Sequence, residues 1–149
     1  MKYQISCIGK ASNTPEQSLI NKYLKRLHNK IIIKEISQKN DFFNKLDEQD
    51  EKLLKLAPKN SFLIVLDRDG INFTSENLAQ TIKNCESKNF RIINFVIGGS
   101  FGHGKNIKKK ANKILSFGKL TWSHLLARTM IIEQLYRVEC IFNNHPYHK

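Results

Sequence analysis

Four glycines directly after one apolar segment are the first feature with chemical meaning. They are Gly98, Gly99, Gly102 and Gly104, and they follow the predicted strand Arg91–Ile97. Glycine tolerates a positive φ and lets a ligand approach the backbone closely. A tight strand-to-helix turn needs only one or two glycines, so this spacing indicates a ligand-binding loop. In an open α/β sheet, ligands bind beyond the carboxyl ends of the strands, where this loop would lie.

The spacing within the loop also allows a phosphate site. Residues Gly99–Lys105 match the GxxxxGK pattern of phosphate-binding loops, and Phe62–Asp67 resembles a strand that ends in a magnesium-binding acid. However, Asn106 stands where the pattern needs a Ser or Thr hydroxyl, and the acidic strand precedes the loop. A phosphate-loop nucleotide hydrolase is therefore the weaker hypothesis.

The chain ends in polar and aromatic residues that are difficult to explain as core. The segment His145–Lys149 carries two histidines, one tyrosine and a terminal lysine. Either this segment is a frayed terminus, as termini often are, or it forms part of a site. Because it has little apolar mass, its removal is expected to expose little core surface and to spare the melting temperature.

The elements that must position these residues alternate along the chain. β-rich or apolar runs predict strands at Tyr3–Ile8, Ile31–Ile36, Phe62–Leu66, Arg91–Ile97 and Lys113–Phe117. Apolar residues at helical spacing predict helices between these strands and a last helix from about Ser123 to Arg137. The alternation indicates a three-layer α/β/α fold with a mainly parallel sheet. Since no repeat or linker interrupts the pattern, residues 1–149 are expected to form one domain.

Local signals refine this outline at three places. Thr14 is expected to cap the first helix, with Gln17 closing a capping box, and Asp41 is expected to cap the second helix. The acidic run Asp47–Glu51 is interpreted as a solvated helix face and not as a metal site. The Asp69-Gly70 pair is expected to form a turn after the third strand.

Composition narrows the class of protein. The 149 residues carry 25 Lys and Arg against 13 Asp and Glu, a net charge of +12, and 40% of them are hydrophobic. These values are typical of a globular protein that attracts polyanions such as nucleic acid. The longest aliphatic run, Phe62–Leu66, is too short for a membrane helix, and we expect neither a signal peptide nor a secreted protein. Three widely spaced cysteines predict buried thiols in a reducing cytosol, without a disulfide scaffold or zinc site.

Four segments taken together resemble a known family. They are Asn94–Gly99, Phe117–Trp122, Glu133–Arg137 and His145–His148. As a set, and over the whole chain, they resemble the ribosomal large-subunit pseudouridine N3-methyltransferase H family of the SPOUT superfamily. The resemblance implies a carboxyl-terminal trefoil knot, cytoplasmic action on rRNA in the ribosome, and a homodimer. In that homodimer the tail of one subunit reaches the cofactor of the other.

The resemblance also implies a cofactor, S-adenosylmethionine, held by three loops. Carried over by motif, the cofactor-binding residues are Leu66, Gly98, Gly99, Phe117, Gly118, Lys119, Leu120, Thr121 and Trp122. An adenine ring needs an apolar slot with accessible backbone groups, which glycines permit. The resemblance implies no metal.

The reaction implied by the resemblance requires the N3 proton of pseudouridine to leave. A base can accept this proton, or a cation can stabilise the resulting anion. The candidate catalytic residues are His124, Arg128, Tyr147 and His148. Two of them have structural alternatives, since His124 can simply begin the last helix and Arg128 can pair with Glu133 or Glu139.

The positive charge suits a substrate made of RNA, because phosphate contacts would keep a small domain docked on the ribosome. Candidate contacts are Lys105, Lys108, Lys109, Lys110, Arg137 and Lys149. A solvated helix face explains the lysine cluster almost as well. A noncatalytic RNA- or ribosome-binding protein of the same fold is therefore the second hypothesis, and cofactor binding would separate it from an enzyme.

Overall fold

Five parallel strands form one central sheet in residues 1–38 and 45–149, the parts of the chain that the computed structural model describes. The strands are β1 (Lys2–Ile8), β2 (Ile31–Ile36), β3 (Phe62–Asn72), β4 (Ile92–Ile97) and β5 (Lys113–Ser116). Their order across the sheet is β2-β1-β4-β3-β5, and every neighbouring pair is parallel. Parallel neighbours require crossover connections, and helices supply most of them.

Helices cover both faces of this sheet. They are α1 (Pro15–Leu24), α2 (Leu46–Leu56), α3 (Ser75–Ser87), α4 (Lys105–Lys110) and α5 (His124–Phe142). Helices α1, α3 and α5 share the larger apolar core with the sheet, and α2 and α4 share a smaller core on the opposite face. The predicted three-layer α/β class with a parallel sheet is confirmed, and the trefoil knot stays a prediction. Among the described helices, none is long and apolar enough to cross a membrane.

The central strand β4 divides the two cores. Ile93 and Phe95 belong to the larger core, whereas Val96 belongs to the smaller one, as the alternation of side chains in a strand requires. Burial of each such side chain stabilises the fold by about 1.5–3 kcal/mol. The smaller core also contains a polar pair, in which Ser6 Oγ donates to Asn94 Oδ1 at 2.9 Å.

Strand β3 is longer than the sequence predicts. The expected turn at Asp69-Gly70 is wrong, because β3 continues to Asn72 and pairs again with β5 after a register shift between Leu66 and Ile71. A Cβ at Gly70 would stand 2.8 Å from the backbone of Ile114, so close approach of β5 explains this glycine. The residues within the shift leave the ladder and are free to line a cavity.

The helix caps differ from the prediction. Thr14 precedes α1, but its side chain makes no cap hydrogen bond, so the predicted box with Gln17 is wrong. A complete capping box lies instead at α3, where Thr74 and Asn77 exchange hydrogen bonds. Asp41, the predicted cap of the second helix, lies outside the described residues.

The three cysteines, Cys7, Cys85 and Cys140, are buried and free, as predicted. Burial raises the pKa of the Cys7 thiol to about 12. This thiol therefore stays protonated at neutral pH and acts as a small apolar side chain.

Candidate functional site

A cavity of about 340 Å³ opens at the carboxyl ends of β4 and β5, beside the interrupted part of β3. Its walls come from residues 66–69 in the interrupted part of β3, residues 97–103 at and after the end of β4, and most of the residues between 115 and 122 at and after β5. Helix α5 adds His124 and Ala127, and α4 adds Lys108. Parallel strands end at one edge of the sheet, so loops that are distant in sequence meet there. The volume suits a small organic ligand.

Almost all predicted cofactor residues line this cavity. They are Leu66, Gly98, Gly99, Phe117, Gly118, Leu120, Thr121 and Trp122. Lys119 is the exception, since it is exposed and does not line the cavity. The Trp122 Nε1 atom donates to Phe117 O at 3.3 Å, and this hydrogen bond joins the two ends of the loop formed by residues 117–122. Leu120 and Trp122 are 70% and 41% exposed and so lie at the cavity mouth.

The glycines of the cavity meet two different requirements. A Cβ at Gly98 would stand 2.5 Å from Gly102 O and 3.1 Å from His103 Cε1, so this position has no room for a side chain. Gly102 and Gly118 have φ values of +73° and +101°, a region that favours glycine. Conformational freedom therefore explains Gly102 and Gly118, whereas close packing within the loop explains Gly98.

Two buried side chains of α2 hold the glycine loop, residues 98–104. Gln49 Oε1 accepts from Gly99 N at 3.3 Å, and Gln49 Nε2 donates to Gly102 O at 3.0 Å. Asp50 Oδ2 accepts from Gly104 N at 2.7 Å. We call Gln49 and Asp50 the loop clamp. It satisfies loop backbone groups that lie outside the sheet ladder.

The loop clamp corrects the interpretation of the acidic run Asp47–Glu51. The outer acids of the run are exposed, as a solvated face requires, but Gln49 and Asp50 are only 1% and 0% exposed. Both residues precede the buried Leu53 by one helical turn and therefore share its face. This periodicity is the sequence signal that would have identified them.

His103 is the other buried residue that the sequence analysis missed. Its Nδ1 lies 2.9 Å from Asp50 Oδ1, and its side chain is 1% exposed. A carboxylate only accepts hydrogen bonds, so the ring proton belongs on Nδ1. The Nε2 atom is buried without a hydrogen-bond partner among the described residues. The ring lines the cavity beside Gly98.

A charged pair forms a further part of the cavity wall. Lys108 Nζ lies 2.8 Å from Asp67 Oδ2, and Asp69 N donates to the other carboxylate oxygen at 3.0 Å. Burial acts to raise the pKa of Asp67, but these two hydrogen bonds outweigh it and bring the pKa below its ordinary value. Asp67 is therefore ionised at neutral pH. Lys108, a predicted RNA contact, is engaged here.

His124 is the candidate base that lies at the cavity. Burial, together with the positive charge of Arg128, lowers its pKa below the ordinary histidine value. The imidazole is therefore neutral at neutral pH and can accept a proton. Its ring packs so closely on Gly9 that a Cβ there would overlap it, and Gly9 also has a φ of +85°.

Arg128 lies in the protein interior. Its guanidinium donates to Glu35 Oε1 at 2.5 Å and to Gly9 O at 2.8 Å, and its side chain is fully buried. The expected partners Glu133 and Glu139 are therefore wrong, and the partner is a residue of β2. This position joins α5 to β1 and β2, and it does not support the predicted catalytic role.

The carboxyl-terminal tail is folded against α5, which extends beyond its predicted end to Phe142. Tyr147 OH donates to Glu133 Oε1 at 2.8 Å, and its ring packs edge-on against Tyr136 at 4.8 Å. Burial and then hydrogen bonding with Tyr23 and Glu133 raise the pKa of Tyr147, so its phenol stays protonated. Tyr147 is therefore a hydrogen-bond donor and not a base.

The tail faces a second cavity of about 920 Å³, which lies among α1, α3 and α5. Tyr147 lines this second cavity, and His148 Nε2 lies 2.8 Å from Glu76 Oε1 on α3. Phe117 and Gly118 line both cavities and separate them. Within one chain, the structure therefore does not bring His124 together with the two tail residues.

The predicted RNA contacts lie in different surroundings. Lys105, Lys109, Lys110 and Lys149 are exposed. Arg137 is engaged, since it pairs with Glu133 at 2.6 Å and its guanidinium carbon lies 4.7 Å from the centre of the Tyr147 ring.

The phosphate-loop hypothesis gains no support from the geometry. Lys105, the lysine of the GxxxxGK pattern, is exposed and does not line the cavity. In the part of the chain that the structure describes, no cluster of His, Cys, Asp and Glu is arranged to hold a metal ion.

Comparison with known proteins agrees with this fold. The family model "Predicted SPOUT methyltransferase" matches residues 1–148, and the chain belongs to this family of methyltransferases. Full-length relatives named "Ribosomal RNA large subunit methyltransferase H" include the protein of Paramagnetospirillum magneticum, 34% identical over 100% of this chain and 99% of its own. The relatives from Acholeplasma laidlawii and Halothermothrix orenii are 35% and 36% identical, with 100% of both chains covered. The resemblance noted in the sequence is confirmed.

Proposed function

We propose that this protein transfers a methyl group from S-adenosylmethionine to N3 of a pseudouridine in large-subunit ribosomal RNA. The observation that carries this proposal is the cavity at the carboxyl ends of β4 and β5, beside the interrupted part of β3, lined by the segments that the resemblance assigns to the cofactor. Family membership and the names of the full-length relatives support the same reaction. We further propose that residues 1–149 act as one domain whose carboxyl-terminal segment forms a trefoil knot.

The lining of the cavity fits S-adenosylmethionine. The apolar side chains of Leu66 and Trp122 suit an adenine ring, and Gly98 and Gly118 contribute backbone to the cavity wall. His103 Nε2 is a buried polar atom that still lacks a partner in the described residues. When bound, S-adenosylmethionine supplies a methyl group on a positively charged sulfur.

His124 is the residue that we assign to proton removal. It lines the cavity, and its lowered pKa keeps the imidazole neutral and able to accept the N3 proton. Tyr147 stays protonated, so it serves as a hydrogen-bond donor or a stacking surface for the base. His148 is assigned to substrate contact beside it.

The separation of these groups within one chain supports a homodimer. Tyr147 lies at the second cavity and His124 at the first, so a complete site requires the tail of a partner subunit. The exposed cations Lys105, Lys109, Lys110 and Lys149 would then contact rRNA phosphates in the ribosome, in the cytoplasm.

The test is methyl incorporation from labelled S-adenosylmethionine into ribosomes that lack the modification. The native protein is expected to methylate N3 of one pseudouridine, which mass mapping of the rRNA identifies. Ribosome binding without incorporation would favour the noncatalytic alternative.

A variant pair assigns the activity to the cavity. Gly98→Val should weaken S-adenosylmethionine binding by at least about a hundredfold in calorimetry, because its side chain must displace Gly102 O or the His103 ring. Ser37→Val is the matched control, since Ser37 is exposed and does not line the cavity. Normal binding by a folded Gly98→Val variant would contradict the cavity assignment.

A further inference from the structure

The loop clamp contains one fully buried carboxylate, that of Asp50. Asp50 is 0% exposed, and both of its oxygens are hydrogen-bonded, one by His103 Nδ1 at 2.9 Å and the other by Gly104 N at 2.7 Å. Removing a carboxylate from water is costly unless such bonds replace the lost hydration. An apolar side chain at this position would leave His103 Nδ1 and Gly104 N without their acceptor, so the carboxylate fixes the geometry of the loop.

The His103 ring transmits this geometry to the cavity. Asp50 fixes the ring through Nδ1, and the Cε1 edge of the ring then lies against Gly98. A Cβ on Gly98 would be only 3.1 Å from His103 Cε1. The ring and the Gly98 backbone are both part of the cavity wall. If the ring turned away from Asp50, the wall beside Gly98 would move with it.

Other charged groups surround the same ring. The pair formed by Asp67 and Lys108 lies on the cavity side, and both residues line the cavity with His103. Gln49 adds a hydrogen bond to Gly102 O from the α2 side. The ring is therefore held between α2 and the cavity, and Asp50 accounts for its only hydrogen bond within the described residues.

We propose that Asp50 is a positioning residue for the methyl-donor cavity, acting through His103 and Gly104 to hold the glycine loop in the conformation that binds the donor. The inference rests on the proposed function, since it takes S-adenosylmethionine as the ligand of the cavity. Asp50 touches no ligand itself. Its contribution is the conformation of the loop before the ligand arrives, which lowers the cost of binding.

The first test compares Asp50→Asn with Glu51→Gln in the intact protein. Both remove one carboxylate charge from α2, but Glu51 is exposed and outside the loop clamp. The Asp50 carboxylate accepts hydrogen bonds from His103 Nδ1 and Gly104 N, and the NH2 group of an Asn side chain cannot accept one of them. The S-adenosylmethionine Kd of Asp50→Asn should therefore rise about tenfold or more. Hydrogen exchange of the Gly104 amide, followed by NMR without ligand, should accelerate by a similar factor. Glu51→Gln should change neither quantity by more than about twofold.

A second pair of variants separates positioning from direct contact and from a merely structural role. His103→Asn and His103→Leu both lack Nε2, but only His103→Asn keeps a donor near the position of Nδ1. His103→Asn should therefore bind S-adenosylmethionine about tenfold more tightly than His103→Leu and should keep the Gly104 amide better protected. These variants also carry the test if Asp50→Asn fails to fold, as judged by circular dichroism. If the two His103 variants bound S-adenosylmethionine equally, the contact with Asp50 would not set the geometry of the loop and the positioning role would be overturned.

Two further outcomes keep this inference distinct from the proposed function. Unchanged affinity in a folded Asp50→Asn variant with a deprotected Gly104 amide would overturn the positioning role and leave the proposed function intact. If the native protein bound no S-adenosylmethionine, the proposed function would fail and the positioning role would fail with it.

Discussion

At the scale of single residues, the environment decides which of the candidate groups can move a proton. His124 lies at the cavity with a lowered pKa, whereas Tyr147 has a raised pKa and keeps its proton. Arg128 is buried, pairs with Glu35 and does not line the cavity. Among these three residues, only His124 combines access with the protonation state of a base.

The pH dependence of methyl transfer should report this assignment. Because the His124 pKa is lowered, the imidazole becomes protonated only below about pH 6.5, the ordinary histidine value. The kcat/KM of the native protein should therefore be constant through neutral pH and fall on the acid side of that value. His124→Gln should lower the rate by about 10²–10⁴-fold and remove the acid limb. An acid limb that persists unchanged in this variant would assign the titration to another group.

At the scale of elements, α5 connects the two cavities. Its amino-terminal end contributes His124 and Ala127 to the first cavity, and its later turns contribute Glu133 and Arg137 to the second. The tail then folds back and places Tyr147 on Glu133. The tail is therefore an ordered extension of α5, and its loss should have both a functional and a structural effect.

Deletion of residues 145–149 should abolish methyl transfer without weakening S-adenosylmethionine binding, because the cofactor cavity lies apart from the tail. Contrary to the sequence-based expectation, the melting temperature should fall by a few degrees. The Tyr136–Tyr147 pair that is lost contributes about 0.5–1.5 kcal/mol. Calorimetry, thermal melting and methyl incorporation measure the three quantities.

Tyr147→Phe is the matched variant for this deletion. It keeps the ring on Tyr136 and loses only the hydrogen bonds of the phenol with Glu133 and Tyr23, so the melting temperature should stay close to native. Activity of the truncated protein within about twofold of native, far below the 1.4 kcal/mol of a tenfold change, would remove the tail from the site.

At the scale of the whole molecule, the two halves of the proposed site lie in two neighbouring cavities of one chain. His124 is at the first cavity, and Tyr147 is at the second. A symmetric pair of chains can bring the tail of each to the cavity of the other. The net charge of +12 then doubles, which increases the attraction to rRNA.

Light scattering should therefore give a dimeric mass at micromolar concentration.

A complementation experiment tests whether the tail acts across the dimer. Gly98→Val chains supply intact tails, and chains that lack residues 145–149 supply intact cavities. Mixed dimers should recover part of the methyl transfer that each parent lacks. A monomer with full activity would contradict the shared site.

Local signals in the sequence determined most of the elements and one wall of the site. Strand periodicity and β-rich runs predicted all five strands, and the cluster of glycines marked the loop after β4. The family resemblance then indicated the segments that line the cavity. These predictions succeed because side-chain alternation and glycine conformations act over only a few residues.

The tertiary structure alone decided which partners the buried polar residues have. Arg128 pairs with Glu35, 93 positions away, and His103 pairs with Asp50, 53 positions away. The sequence placed Arg128 with nearby acids and Asp50 in solvent, because local periodicity does not identify partners on other elements. Burial of a charge is favourable only when a distant chain segment supplies the opposite group, and the packing of the sheet and helices determines which segment that is.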